Sequence, residues 1–491
     1  MSISVIDTVI VFLYVAAVTL FGAWVGRKSV SASDYLLGDR QMPWWSVLGS
    51  IVATETSTAT FLSVPGVAYA AEGNLGFLQL VIGFILGRMI ISVALLPLYF
   101  QGRLFTAYQV LQQRFGRRTQ RAASLLFLVT RNLGDGLRLF LTAIVLQKVA
   151  GLSLPLCILL IGIATIVYTF LGGMKAVIWN DCIQFVVYIG GGILALLLII
   201  SQLDGGLDTL MAWSESRDKF RMFDFSLSLS TTYTFWAGII GGTTLTLGTH
   251  GTDQMMVQRY LCTASHREAA KALILSGFVV FFQFLLFLIL GVALACFYQE
   301  RVFESGDQVF ATFIVEEMPV GLVGLTLAAV FSAAMSTLSS SLNSSATAVV
   351  NDFGSDARSD QERVKLSRRT TVCFGLLQIA IGIGASFWST SVVGDALAIA
   401  GFSAGIILGV FILGSLPVRC AEASVVAAMS LAVLVLLLVH FLTDVAWPWY
   451  APVGVCSTIV FGYLLNSVLP QSDPPAVATH IDSSPPNGSG S

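Results

Sequence analysis

Ile193-Leu194-Ala195-Leu196-Leu197-Leu198-Ile199-Ile200 is an unbroken apolar run near the end of a longer stretch, 177 to 202. A strand of a membrane barrel alternates apolar and polar residues over segments of about 10 residues. A helix crossing a hydrocarbon core about 30 Å thick instead needs about 20 mostly apolar residues in succession. This run does not alternate, so it reads as a membrane-spanning helix. Comparable stretches recur from Val5 almost to Leu469, at 5 to 25, 44 to 70, 76 to 100, 122 to 150, 153 to 172, 177 to 202, 231 to 258, 270 to 297, 318 to 349, 369 to 388, 392 to 416, 421 to 441 and 448 to 468. The expectation is an all-α integral membrane protein with about 13 transmembrane helices.

Composition agrees. Of 491 residues, 56% are hydrophobic and only 11% charged, with a mean hydropathy of +0.83, whereas soluble domains carry about 25% charged residues. A soluble multidomain enzyme is excluded. The net charge of −2 offers no basic surplus for nucleic acid. Seven cysteines form no CxxC pair and read as small buried side chains, and four histidines lack metal-ligand spacing. No HExxH, GxSxG or P-loop motif supports a membrane enzyme. The first apolar segment has neither a basic region before it nor a cleavage site, so it reads as a retained span.

With thirteen spans the termini face opposite sides, and short cytoplasmic loops are enriched in Lys and Arg. One set of loops holds Arg27, Lys28, Arg40, Arg103, Arg114, Arg117, Arg118, Arg121, Lys175, Arg259, Arg267, Lys271, Arg358, Arg363, Lys365, Arg368, Arg369 and Arg419. The alternate loops hold only Lys148, Arg217, Lys219, Arg221 and Arg301, several beside Asp218, Glu300 or Glu304. The N-terminus is therefore expected outside and the C-terminus in the cytoplasm. The organisation reads as a first span and loop (1–42), five spans (43–203), an external loop (204–229), five spans (230–417), two spans (418–469) and a Pro, Ser and Gly-rich tail (470–491) with little to bury.

Polar groups within a span are costly, so their clusters locate function. The second span carries Ala53-Thr54-Glu55-Thr56-Ser57-Thr58-Ala59-Thr60, hydroxyls around one acid, with Pro65 beyond. That proline removes the backbone bond to the carbonyl of Phe61, which makes a broken helix plausible. The seventh span carries Gly241-Gly242-Thr243-Thr244-Leu245-Thr246-Leu247-Gly248-Thr249-His250-Gly251-Thr252, whose glycines weaken helical continuity. Each such segment stands first in a group of five spans. Inverted-repeat transporters, with a 5+5 core and a broken first helix in each repeat, build midplane sites this way. In the ninth span, Ser336, Ser339 and Ser340 share a helix face, with Thr337 beside them and the Ala333 carbonyl one turn earlier. Such a ladder of hard oxygens with few charges suits a monovalent cation. Small and hydroxyl residues also line ordinary helix contacts in membranes; three clusters together with an intramembrane acid outweigh that reading.

These residues resemble the sodium:solute symporter family of glucose, proline, sialic acid, iodide, monocarboxylate and multivitamin cotransporters. The resemblance rests on Tyr35-Leu36-Leu37-Gly38-Asp39-Arg40-Gln41-Met42-Pro43-Trp44-Trp45, on 106–116 (TAYQVLQQRFG), on 172–181 (GGMKAVIWND), and on Gly251-Thr252-Asp253-Gln254 with Gln258-Arg259-Tyr260. It implies the inverted-repeat fold, with Na+ held by carbonyls of Ala53, Thr56 and Ala333 and by hydroxyls of Ser336 and Thr337. It also implies a second sodium at Asp181, Ser336, Ser339 and Ser340. Solute contacts would come from Glu55, Ser57, Thr60, Gln79, Asp135, Thr249 and His250. Glu55 departs from the Asn, Thr or Asp of relatives; a contact to a solute amine, help to sodium and proton cycling all stay open. Asp135 has Arg131 and Arg138 at i−4 and i+3, so an internal ion pair is the alternative to a ligand role, and Arg88 has the same ambiguity.

The expected partners are a small polar organic solute, sodium and the lipid bilayer. The expected activity is sodium-coupled import by alternating access in a plasma membrane of bacterial type, with no catalysis. A proton-coupled transporter using Glu55 is the main alternative; a channel or a sensor ranks lower.

Overall fold

The structure, a computed structural model, describes residues 4–27, 31–101, 104–299, 301–303, 305–354, 359–388, 390–417 and 420–468. Lys28, Arg103, Glu300, Glu304, Arg358 and Arg419 of the charge argument, and the tail from 470, lie outside these residues. Among the described residues all regular structure is helical. The main helices are α1 (Val5–Gly26), α2 (Trp44–Glu55), α3 (Thr58–Tyr69), α4 (Leu78–Ala94), α5 (Arg117–Ala150), α6 (Leu154–Gln202), α7 (Thr243–Gly251), α8 (Gln254–Leu261), α9 (His266–Tyr298), α10 (Leu322–Asp352), α11 (Asp360–Ala385), α12 (Thr390–Ser415), α13 (Glu422–Leu442) and α14 (Tyr450–Val468). Six helices among the described residues are long and apolar enough to cross a membrane, and α2 with α3 makes a seventh, bent span.

The longest of these, α6, has 49 residues and at 1.5 Å per residue would run about 73 Å, over twice a hydrocarbon core. Gly173 divides it, with φ 57° and ψ −157°. Only glycine fits this place, because a Cβ there would stand 2.5 Å from the Tyr35 carbonyl oxygen in a backbone region L-residues avoid. The two expected spans, 153–172 and 177–202, meet at that break.

The second span is broken, though not where its proline predicts. Trp44–Glu55 and Thr60–Tyr69 bend by 60°. The extended residues are Thr56 (φ −82°, ψ 103°) and Ser57 (φ −92°, ψ 171°), while Pro65 sits inside α3. What holds the extended Thr56 is its side chain. The Thr56 hydroxyl donates to the Val52 carbonyl at 2.9 Å, accepts from the Gln283 amide at 2.5 Å and meets the Tyr188 hydroxyl at 2.9 Å.

The seventh span corrects the expectation of a second broken helix. Ala237–Gly242 is a π-helical turn that passes into α7 with helical φ/ψ at the junction, and the chain leaves helix only at Thr252. Its glycines serve packing: a Cβ on Gly238 would lie 2.4 Å from the Gln79 carbonyl, and one on Gly83 would lie 2.1 Å from the Gly238 carbonyl. Close approach to α4 offsets glycine's weakness as a helix former, so the segment widens instead of unwinding.

At the centre, α10 is buried on nearly all faces, packing against α6, α1, α11 and α5. Its serines therefore face protein, not lipid. At the C-terminal end of α3, the Lys219 ammonium donates to the carbonyls of Ala68, Ala70 and Ala71 at 3.2, 2.6 and 3.3 Å, closing that helix end.

Candidate functional site

The break between α2 and α3 leaves helix-end carbonyls facing α10. The last backbone bond of α2 runs from Thr56 N–H to Val52 O at 3.1 Å, so the carbonyls of Ala53, Thr54 and Glu55 lie beyond its regular ladder. The Thr337 hydroxyl stands against this end, 3.3 Å from both the Thr54 and Ala333 carbonyls. A helix C-terminus carries partial negative charge; with hydroxyls opposite, this is an oxygen-rich seat for a small cation. The Thr56 side chain is committed to Val52, Tyr188 and Gln283, which leaves its carbonyl as the group the sequence reading assigned to sodium.

One turn away, Asp181 of α6 meets Ser336, while Ser340 lies against Thr54 and Arg259. Ser336 donates to Asp181 Oδ1 at 2.6 Å and Ser50 to Asp181 Oδ2 at 2.5 Å. Arg259 of α8 is the unexpected member. Its guanidinium lies 3.1 Å from Asp181 Oδ2, 2.5 Å from the Thr54 hydroxyl and in contact with Ser340. Arg259 is fully buried, so its reading as a cytoplasmic loop charge is corrected: α8 folds back into the protein with every residue buried. Ser339 is turned aside, donating to the Ser336 carbonyl at 3.1 Å.

Beyond the cation seat lies a cavity of about 610 Å³. Glu55, Ser57, Thr249, His250, Arg131, Arg138, Asp253 and Thr337 line it, closed at one end by Trp447 and Tyr450. Glu55 pairs with Arg88 of α4, which is completely buried, and His250 Nε2 stands 3.4 Å from the same carboxylate and 3.2 Å from Arg88. Asp135 takes the ion-pair alternative: Arg138 Nη1 donates to its Oδ1 at 2.5 Å, while Arg131 Nη1 is 4.0 Å away and its other arm pairs with Asp253.

The structure thus brings Glu55, Ser57, Thr249 and His250 to one cavity. Asp135 lies behind it, and Thr60 is not among the lining residues. Gln79 is buried and held by backbone: it donates to Gly76 O and Tyr233 O at 3.1 Å each and accepts from Asp224 N–H at 2.9 Å. Its place is a clamp on the segment that carries Asp224 and Tyr233. Sequence reasoning missed Ser50, Tyr188, Gln283 and the pairing of Arg259. A signal for the last was available, since an intramembrane Asp181 requires a cation.

The described chain is thus a helical membrane protein with a broken span, oxygen groups gathered at the break and an adjoining cavity lined by both charged and apolar side chains. A sequence model of the sodium:solute symporter family matches residues 35–431. The sodium/sialic acid symporter SiaT of Proteus mirabilis is 28% identical, over 93% of this chain and 94% of its own. The sodium-coupled monocarboxylate transporter 2 of Bos taurus is 29% identical, over 82% of this chain and 67% of its own. Among solved structures, the substrate-bound outward-open state of a Na+-coupled sialic acid symporter superposes with a TM-score of 0.87 at 26% identity, covering 96% of this chain and 99% of that one. The chain belongs to the sodium:solute symporter family, and sodium-coupled solute symport is the activity that goes with it.

Proposed function

We propose that this chain imports a small organic anion with sodium, by alternating access. Sodium enters from outside and sits between the end of α2 and the middle of α10, against the carbonyls of Ala53, Thr56 and Ala333 and the hydroxyls of Ser336 and Thr337. It thereby joins the broken span to α10 and completes the cavity wall at Thr54, Glu55 and Ser57. The observation that carries this reading is the break itself, which ends the backbone ladder of α2 at Val52 and brings its last carbonyls up to Thr337. No covalent chemistry is involved. An inside-negative potential adds about 2.3 kcal/mol per charge per 100 mV.

The anionic class rests on Arg138, whose side chain is 38% exposed while its partner Asp135 is 0% exposed; it is the most accessible charge in the cavity wall. Two relatives are named for sialic acid and for monocarboxylates, both acids. Proton coupling through Glu55 is disfavoured by Arg88: protonating Glu55 would leave a buried guanidinium uncompensated.

Counting α2/α3 and the π turn with α7 as one span each, and α6 as two, gives thirteen spans and a 5+5 core. The loop charges then place the N-terminus outside and the C-terminus inside, in a bacterial-type inner membrane. Asp181, Ser336, Ser339 and Ser340 make the second sodium site only if Arg259 withdraws from Asp181 and Ser340, so this conformation suits a single sodium.

The test is thermal stabilisation of purified protein by sialic acid, pyruvate, lactate, proline and glucose, each in NaCl and in KCl. An acid that stabilises only in sodium supports the reading. Stabilisation equal in both salts overturns sodium coupling, and stabilisation by sugar or proline alone overturns the anionic class.

A further inference from the structure

The four charges beside the cavity form an unequal chain. Asp135 is fully buried and takes its one full-length ion pair from Arg138, while its Oδ2 has no hydrogen-bond partner. Arg131 straddles two acids, paired with Asp253 and standing 4.0 Å from Asp135 Oδ1. Asp253 in turn caps α8, accepting from Met255 N–H at 2.8 Å. And α8 carries Arg259, the cation on Asp181. The solute cavity is therefore linked to the ion-site acid through one short helix.

We propose that Asp135 is a charge-exchange post that couples solute binding to opening of the inner wall. This rests on the anionic reading of the solute. An anion entering the cavity takes the exposed Arg138, which leaves Asp135 uncompensated. A buried carboxylate does not stay unpaired, and Arg131 is already poised: closing its gap from 4.0 Å to the about 2.8 Å of a charge-assisted bond moves it off Asp253. Asp253 then no longer ties α8 to α5. Met255 and Met256, which form that part of the cavity wall, are freed to move, and the hold of Arg259 on Asp181, Thr54 and Ser340 slackens. Without solute, Arg131 remains on Asp253 and the wall stays shut, so sodium alone does not leak. Asp135 and Arg131 are positioning residues; neither contacts the solute in this scheme.

The test reads wall opening apart from binding. A single cysteine, Met256→Cys in a background freed of the native cysteines, is labelled in inside-out vesicles with a membrane-impermeant maleimide. Sialic acid or pyruvate is supplied at saturation, whichever stabilises the protein in sodium. In the otherwise unchanged chain the solute is expected to raise the labelling rate severalfold. Asp135→Asn is expected to remove that acceleration while the solute still binds, because Arg138 is left unopposed. Arg131→Gln, which keeps the Asp135–Arg138 pair, serves if Asp135→Asn folds poorly; because it also removes the tie to Asp253, it is expected to raise labelling without solute and to leave the solute no further acceleration. Asp253→Asn is expected to raise labelling without solute. Solute-driven acceleration that survives in Asp135→Asn or in Arg131→Gln overturns the proposal. Arg138→Gln separates the two ideas: solute binding unchanged by it overturns the anionic reading, whereas a tenfold or greater loss keeps that reading whatever the relay variants do.

Discussion

Glu55, the last residue of α2, and Asp181, on α6 against Ser50 of α2, are two intramembrane acids, each facing a buried arginine, yet they are held differently. Glu55 sits at the carbonyl end of α2, where the helix dipole opposes a negative charge. It relies on Arg88 and on His250 beside it. Asp181 lies inside a helix and adds hydroxyls from Ser50 and Ser336 to Arg259. One acid borders the cavity and is 13% exposed; the other is sealed among hydroxyls and is 0% exposed. The difference teaches that enclosure, and not charge alone, decides how many partners each acid gathers.

Removing the acids gives the largest expected effects and tests the contrast directly. Asp181→Ala strands a fully buried Arg259 and is expected to cost about 3–5 kcal/mol and to abolish uptake. Glu55→Ala strands Arg88 as well, but beside a cavity that admits water, so its stability loss is expected to be clearly smaller. Melting of both variants in detergent decides this, and equal losses would erase the distinction. Next, Ser336→Ala removes a hydroxyl from Asp181 and from the cation seat together. A hydrogen bond to a charged group is worth about 1.5–3 kcal/mol, and sodium stimulation of uptake is expected to vanish while the protein still reaches the membrane. Unchanged sodium dependence sinks the assignment. A third test addresses coupling. In vesicles with a fixed sodium gradient, an imposed proton gradient is expected to leave uptake unchanged, because Glu55 stays ionised against Arg88; uptake driven by protons alone would return Glu55 to the proton-coupled role.

Much of this was legible in the sequence, for physical reasons. Apolar stretches of spanning length follow from the bilayer's thickness, and the serine ladder of α10 follows from helical spacing. The position of the break did not follow, because Pro65 is a local signal and the decisive partners of Thr56 are Tyr188 and Gln283, over a hundred residues away. The seventh span misled in the opposite sense. Its glycines register close approach to α4, and their low helix propensity yields to that packing. Likewise Arg259 counts as a loop charge in any tally by position; only the return of α8 into the protein pairs it with Asp181.

A third acid, Asp224, completes the comparison from outside the membrane, and its effect is the smallest. It accepts from the Ser226 N–H at 2.9 Å, while its own N–H donates to Gln79 and its carbonyl accepts from Phe235. The Ser226 backbone bond is the main reason its carboxyl is held below the usual carboxylate range; the Ser226 side chain and the Arg221 charge add to this, and slight burial opposes it. A depressed folded pKa means that the contribution is full above the unfolded value of about 3.9 and is lost as pH falls through the lower folded value. Asp224→Asn is therefore expected to change stability near neutral pH by no more than about 0.5 kcal/mol, as for other surface substitutions, and to flatten slightly the acid side of a melting-temperature profile. It needs no cation because water solvates it, which is the condition that Glu55 meets in part and Asp181 not at all. A melting profile that drops as steeply for Asp224→Asn as for Glu55→Ala would show that the external loop, and not the degree of enclosure, governs how these acids are held.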